Sequence, residues 1–335
     1  MSGSASILDC TLRDGGYINN WRFNHDFLIA HKKCMNDLKI DYVEIGFINK
    51  QKEYNHDLVG KVRNLTADLI EKYYGDSDTK FKVVVMGDFK DIDLTILSDD
   101  RCKSIINLVR IAFHKTEMQK ALELCSIIKD MGYKVSANAM GVTNYSDDEI
   151  DLLLREINNR QIDILYIADS YGSLNSKELV QILDRFSSGL TSTKIGLHLH
   201  NNMNNAFSNY ESVKTRSDVE IVDATLFGMG RGAGNLQTEL VWLSQTNSDV
   251  KGELLELCYF IYDYIKPIDN VQNKWGYDLD YLFSGYLKAH PNYVSKMRDL
   301  EIPMKDRLYL LSVLENGNYF NPNVVFDLIK TNMNY

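Results

Sequence analysis

The stretch "KIGLHLHNN" places His198 and His200 in an H-x-H pair. On an extended strand such side chains leave the same face, so both imidazoles can reach one divalent ion, with carboxylate or water completing the shell. A second stretch, "TLRDGGY", sets Arg13 beside Asp14 and follows them with Gly15 and Gly16. The aspartate offers such an ion an anionic oxygen, and the guanidinium offers fork-like donors to an oxyanion. Each signal alone is ambiguous: H-x-H also describes packed histidines, and Asp14 also suits a helix N-cap or an ion pair with Arg13. Mixed N and O ligands leave Mn²⁺, Mg²⁺, Co²⁺ and Zn²⁺ open, and an oxygen-chelating substrate favours the harder ions, Mn²⁺ foremost.

For these residues to meet, the chain must deliver several strand ends to one rim. Short β-branched or apolar runs recur at Ser6 to Leu12, Ile40 to Gly46, Phe81 to Gly87, Ile105 to Phe113, Tyr133 to Ala139, Ile162 to Asp169, Lys194 to His200 and Glu220 to Phe227. Helical stretches separate them. In "TEMQKALELCSIIKDMGY", for example, Met118, Leu122, Cys125 and Ile128 line one face and Gly132 supplies a stop. Eight strand-helix units predict an α/β fold, a TIM (β/α)8 barrel, over residues 1–240. Beyond it "ELLELCYFIYDYI", "YLFSGYLKAH", "KDRLYLLSVLEN" and "PNVVFDLIKTNM" are helical only, predicting a helical C-terminal domain over 241–335.

Alternation sorts the faces. The outward face of each strand packs on helices and must be apolar, while the inward face near the C-terminal rim can carry polar groups. This places Asp9, Thr11 and Arg13 inward on the first strand, Glu44 on the second, and Arg110 and His114 on the fourth. It adds Asn138 on the fifth, His198 and His200 on the seventh, and Asp223 with Thr225 on the eighth. The Gly15-Gly16 pair is expected to let the chain bend inward and present Asp14.

The 335 residues, 44% hydrophobic and 25% charged, suit a chain with a large core. No apolar run approaches the roughly 20 residues of a membrane span, and "MSGSAS" lacks a leader's pattern, so a cytoplasmic protein without membrane contact is expected. Five scattered cysteines suggest neither disulfides nor a zinc knuckle. A net charge of -9 without a basic stripe argues against nucleic acid.

"TLRDG" on strand 1, "YVEIG" on strand 2, "GLHLHNN" on strand 7 and "GMGRGAGN" after strand 8 together resemble the HMG-CoA lyase-like aldolases and synthases, the DRE-TIM metallolyases. With "VRIAFHKTE", "YIADSYG" and "VDATLFGMGRGAGN" the chain is most similar to the 4-hydroxy-2-oxovalerate aldolase branch. The resemblance implies that Asp14, His198 and His200, with Asn235 in some members, hold a divalent metal. It implies that Arg13 stabilises an enolate and Glu44 holds Arg13. Arg110, Asn138, Ser170, Thr225 and Gly232 are expected to bind substrate. The implied reaction cleaves or forms a carbon-carbon bond next to a 2-keto acid through a pyruvate enolate, with an aldehyde as the other fragment. A Claisen-type 2-keto acid/acyl-CoA synthase of the isopropylmalate synthase type is the nearest alternative. A third is a non-catalytic partner subunit, since the oxovalerate aldolases pair with an acylating aldehyde dehydrogenase; a homo-oligomer is also compatible.

The chain departs from that branch at Tyr17, which stands where the aldolases keep a histidine proposed as catalytic base. A phenol with a reference pKa of about 10 is a poor base at neutral pH, though it can relay or donate a proton. Other candidates are His25, His56, His114, and Tyr286, His290 and Tyr293 in "YLKAHPNYVSK". By resemblance, a C-terminal tyrosine reaches over the site, which points to Tyr293 or Tyr286. "GMGRGA" formally fits a dinucleotide fingerprint, but no strand pattern follows it, so it suits a loop that takes phosphate or carboxylate on backbone N-H groups. Arg231 within it suits a side chain closing over substrate and a solvated loop charge equally.

Overall fold

The computed structural model describes residues 4–50, 60–269, 274–315 and 317–333. Eight parallel strands close a barrel in sequence order. They are β1 (Ser6–Asp9), β2 (Tyr42–Phe47), β3 (Lys82–Asp88), β4 (Ile106–Phe113), β5 (Lys134–Ala139), β6 (Ile164–Asp169), β7 (Lys194–Leu199) and β8 (Val219–Ala224). Closure is made where Ser6 to Asp9 pair with Ile221 to Ala224. Outward side chains such as Val43, Val85, Ile111, Ala137, Leu165 and Leu197 join the helices in one large core. The lower lumen is a separate apolar plug of Leu8, Cys10, Tyr42, Val84, Leu108, Ile164, Tyr166 and Ile221. Tyr166 fits there because β7 offers Gly196 opposite, where an added Cβ would lie 2.5 Å from the ring. Glu44, Arg110, His198 and Asp223 sit one inward position further along their strands than this plug, so the lumen changes from apolar to charged toward the C-terminal rim.

β1 differs from the expected strand in length and in parity. It ends at Asp9, and Leu8 and Cys10 face inward. Asp9 points outward: His31 Nε2 lies 3.1 Å from it and the Thr238 hydroxyl donates to it at 2.8 Å. Arg13 and Asp14 nevertheless reach the rim because Thr11–Gly15 forms a π-helical turn, in which the N-H groups of Asp14 and Gly15 both donate to the Cys10 carbonyl. One extra residue per turn rotates their side chains relative to strand alternation. Gly15 and Gly16 do not bend the chain; both are right-handed helical. Gly16 is required for space, since a Cβ there would lie 2.1 Å from Trp21 Cδ1. The Trp21 indole N-H in turn donates to the Arg13 carbonyl at 2.8 Å.

After β8, Trp242, Leu257, Phe260, Ile261, Ile265 and Trp275 add to the barrel's outer core. Tyr281, Tyr293, Val294, Met297, Ile302, Leu310, Leu311 and Val325 form a second, smaller core. Its polar centre is Asp280, buried and bonded by Arg298 and Arg307. Among the described residues no helix is long and apolar enough to cross a membrane. Replacement of Gly16 by alanine should force Trp21 out of its seat and cost about 1–3 kcal/mol. Thermal unfolding reports it, and an unchanged Tm would contradict this role for Gly16.

Candidate active site

The rim is organised by buried ion pairs. Arg13 Nε donates to Glu44 Oε2 at 2.6 Å, and its Nη1 donates to Asp14 Oδ1 at 2.5 Å. Arg110 from β4 lies 3.2 Å from the same Glu44 oxygen, donates to Asp223 Oδ2 at 2.6 Å, and stacks 4.0 Å from the Tyr166 centroid. Asp223 also accepts from the Tyr166 hydroxyl at 3.0 Å and holds His198 Nδ1 at 2.9 Å. Burial opposes ionisation of Asp14, but the adjacent Arg13 guanidinium outweighs it and, with Arg231 further off, keeps the carboxyl well below its usual range. Asp223 is likewise depressed: burial opposes, while Arg110, His198 and Arg13 prevail. His200 is pushed down to about 3, by burial first and then by His198, so it stays a neutral donor of its lone pair.

These residues fit a divalent cation. Ligand atoms of Asp14, His198 and His200 all lie within 4.8 Å of one another. His198 is oriented through Nδ1 by Asp223, which leaves Nε2 for an ion, as in the usual carboxylate-histidine-metal arrangement. Asn235 donates its amide to Asp14 Oδ2 at 2.7 Å and to the Met229 carbonyl at 3.2 Å, and its buried Oδ1 has no hydrogen-bond partner. The buried Nδ1 of His200 is also unpaired. The paired side chains Arg13, Arg110, Glu44, Asp14 and Asp223 carry two positive and three negative charges, a balance of -1 that favours a cation. Cys10, His198 and Asp223 form a second cluster, but burial raises the Cys10 thiol well above its ordinary value and Asp223 is already taken by Arg110, Tyr166 and His198. A protonated thiol is a poor ligand.

A cavity of about 340 Å³ stands above this floor. Of the candidate residues, Arg13, Asp14, Tyr17, Arg110, His114, Asn138, Ser170, His198 and His200 line it. Glu44 and Asn235 stand immediately behind, bonded to Arg13 and Asp14. Others differ. Tyr293 is not on the cavity: it is buried in the C-terminal core, where its hydroxyl donates to the Tyr319 carbonyl at 2.6 Å. Tyr286 is 69% exposed and belongs to an apolar groove elsewhere. His25 pairs with Tyr73 on the surface, and His56 lies outside the described residues. Thr225 is buried under the strand-8 turn, its backbone pairing with Leu236 and Thr238. Gly232, at φ +67°, packs against Pro291 and Tyr281 and serves loop geometry. The C-terminal region does reach the cavity, but through His290, Pro291, Asn318, Tyr319 and Phe320. No periodicity marks Asn318 to Phe320 in "NGNYFNP"; Tyr293 acts on the cavity wall indirectly, through the Tyr319 carbonyl and the Phe320 ring.

With that geometry in place, comparison with known proteins is decisive at the family level. A profile of the HMGL-like family matches residues 4–255. The chain belongs to the HMGL-like family. It is 24% identical over 244 residues to a 4-hydroxy-2-oxovalerate aldolase of Geobacillus thermodenitrificans, covering 70% of this chain and 67% of that one. An oxaloacetate decarboxylase of Mycobacterium tuberculosis is 24% identical over 245 residues, with 70% and 67% coverage. The crystal structure of the N-terminal domain of a putative aldolase from Bacteroides vulgatus superposes with a TM-score of 0.76 at 28% identity, covering 90% of this chain and 98% of that one. HMG-CoA lyase of Bacillus subtilis shares the fold, with a TM-score of 0.63 at 14% identity and coverage of 81% and 95%.

The depressed Asp223 carboxyl has a consequence for stability. Its ionised form stabilises the fold fully above the unfolded value of about 4, and that contribution is lost as pH falls from there toward the lower folded value. Denaturant unfolding with a chelator present should therefore weaken below about pH 4 more steeply for the wild type than for Asp223→Asn. That variant should already have lost about 3 kcal/mol at neutral pH by removing the shorter of the two carboxylate contacts of Arg110 and leaving only Glu44. Parallel pH curves would contradict an ionised Asp223.

Proposed function

We propose that this HMGL-like enzyme is a divalent-metal-dependent carbon-carbon lyase that breaks or forms a bond next to the carbonyl of a 2-keto acid, with a pyruvate enolate as the common fragment. The observation that carries this reading is the direct hydrogen bond from Arg13 to Asp14, the same carboxylate that closes the Asp14, His198 and His200 cluster. Arg13 therefore presents its guanidinium to the atom that a metal on those ligands would hold. Two of the relatives carry names of enzymes that cleave a carbon-carbon bond in a 2-oxo acid, which supports the same class.

Asp14, His198 and His200 would hold the ion, with Asn235 Oδ1 as a further donor. Mn²⁺ suits this mixed set, and bound there it supplies Lewis-acid polarisation of the keto oxygen. The chain's own groups do the rest. Glu44 and Asp14 grip Arg13 on two sides, so its charge faces the developing enolate oxygen without reorganising. Asn138 and Ser170 offer neutral donors on the wall for the keto-acid carboxylate. Tyr17 lines the same wall and carries the proton of the alcohol being cleaved, with His114 as the other cavity group able to exchange it. The cavity volume suits a small keto acid and a short aldehyde.

Deuterium exchange at the pyruvate methyl, followed by NMR with Mn²⁺ and no aldehyde, isolates enolate formation. The wild type should exchange, and Arg13→Ala should slow exchange about 100- to 1000-fold. No exchange, or strict dependence on an acyl-CoA, would overturn the reading in favour of a partner subunit or a Claisen-type synthase respectively.

A further inference from the structure

Three basic side chains meet at the outer part of the cavity without belonging to the ion network on its floor. Arg231 comes from the turn after β8, His114 from the end of β4, and His290 from the loop before the helix Asn292–Asp299; all three line the cavity. The Arg231 guanidinium lies 4.1 Å from the centroid of the Tyr17 ring. Arg13 and Arg110 are each bound by carboxylates. Arg231 has no such partner among the described residues, and its buried Nε-H finds no acceptor. The Asn292 N-H donates to His290 Nδ1 at 3.1 Å, which leaves Nε2 to carry the ring proton as a donor. His290 is pushed down to about 3, by burial first and then by the positive fields of Arg231 and His114, so the three crowd one another.

The two acids on the cavity wall are already committed. Asp14 is held by Arg13 and Asn235, and Asp88 accepts from Asn49 at 2.7 Å and from Arg63 at 3.2 Å. A partly buried guanidinium with an orphaned N-H is costly until an anion meets it, and its planar fork suits phosphate or carboxylate oxygens. Position decides which fragment of substrate that anion belongs to. Arg13 and Asp14 are buried on the floor, whereas His114 is exposed and His290 only partly buried, so these three face the part of the substrate remote from the reacting carbons.

We propose that Arg231, assisted by His290 and His114, binds an anionic oxygen group carried by the aldehyde, so that the acceptor is a phosphorylated or carboxylated aldehyde rather than a neutral one. This rests on the lyase reading above. The test is condensation with pyruvate in two matched pairs, glyceraldehyde 3-phosphate against glyceraldehyde and succinic semialdehyde against butyraldehyde. The wild type should favour one anionic member by about 30-fold in kcat/KM, the value of a hydrogen-bonded charge, and the pair that shows it separates phosphate from carboxylate. Arg231→Met should collapse that ratio toward one, and Arg231→Lys should restore part of it.

A wild type without preference in either pair overturns the proposal whether or not the variants fold. So does a preference that survives Arg231→Met, or a rise in the KM for pyruvate alone, which would assign Arg231 to the keto acid. If the wild type turns over no pair, deuterium exchange at the pyruvate methyl decides the lyase reading, and calorimetry on the full chain decides the anion site. Glycerol 3-phosphate or glycerate should bind the wild type and not Arg231→Met, with glycerol silent; no binding of either anion to the wild type overturns it.

Discussion

The structure depends on a run of charged contacts buried in the upper barrel. Asn235 bonds Asp14, Asp14 takes Arg13, Arg13 takes Glu44, Glu44 shares its oxygen with Arg110, and Arg110 reaches Asp223, which orients His198. His198 then returns to Asp14 within ligand distance. Six elements are tied by this circuit: β1's π turn, β2, β4, β7, β8 and the glycine loop. Buried ion pairs are expensive, and an apolar layer would hold a barrel as well or better. The circuit makes physical sense as a preorganised field around a cation and a developing oxyanion, where fixed charges are worth most because water is absent.

The apolar plug beneath it serves the same end. Tyr166 fills the lumen, accommodated by Gly196, and gives Asp223 and Arg110 a rigid base through its hydroxyl and its ring. The C-terminal helices contribute at one remove. Their small core, through Tyr293, holds Tyr319 at the cavity wall. The floor thus comes from the barrel, while the outer wall combines barrel residues such as Arg231 and His114 with His290 and Tyr319 from the C-terminal region. Relatives near 24% identity can therefore share a floor while their walls differ.

Much of this was legible in the sequence because a barrel strand obeys strict alternation. Glu44, Arg110, Asn138, His198 and Asp223 face inward as period two requires, and the closed eight-strand barrel follows from the repeated units. Alternation failed at β1, because a π turn adds a residue that no hydropathy pattern records; Asp9 and Thr11 exchange faces with Leu8 and Cys10. The Gly15-Gly16 pair suggested a bend, yet Gly16 is required by the Trp21 ring that folds back onto it within the same turn, a side-chain contact that the glycine pair itself does not reveal. Tyr293 was misplaced for a related reason. Motif position cannot tell a hydroxyl aimed at a cavity from one bonded to the Tyr319 carbonyl beneath it.

On the lyase reading proposed above, the circuit of buried charges holds one divalent cation on Asp14, His198 and His200. Calorimetric titration of Mn²⁺ into the metal-stripped full chain, wild type beside the His198→Ala/His200→Ala double variant, tests it most directly. One site should saturate in the wild type and weaken more than about 100-fold in the variant, since losing ligands costs more than losing the groups that orient them. Equal affinity in the two proteins would show that His198 and His200 do not hold the ion.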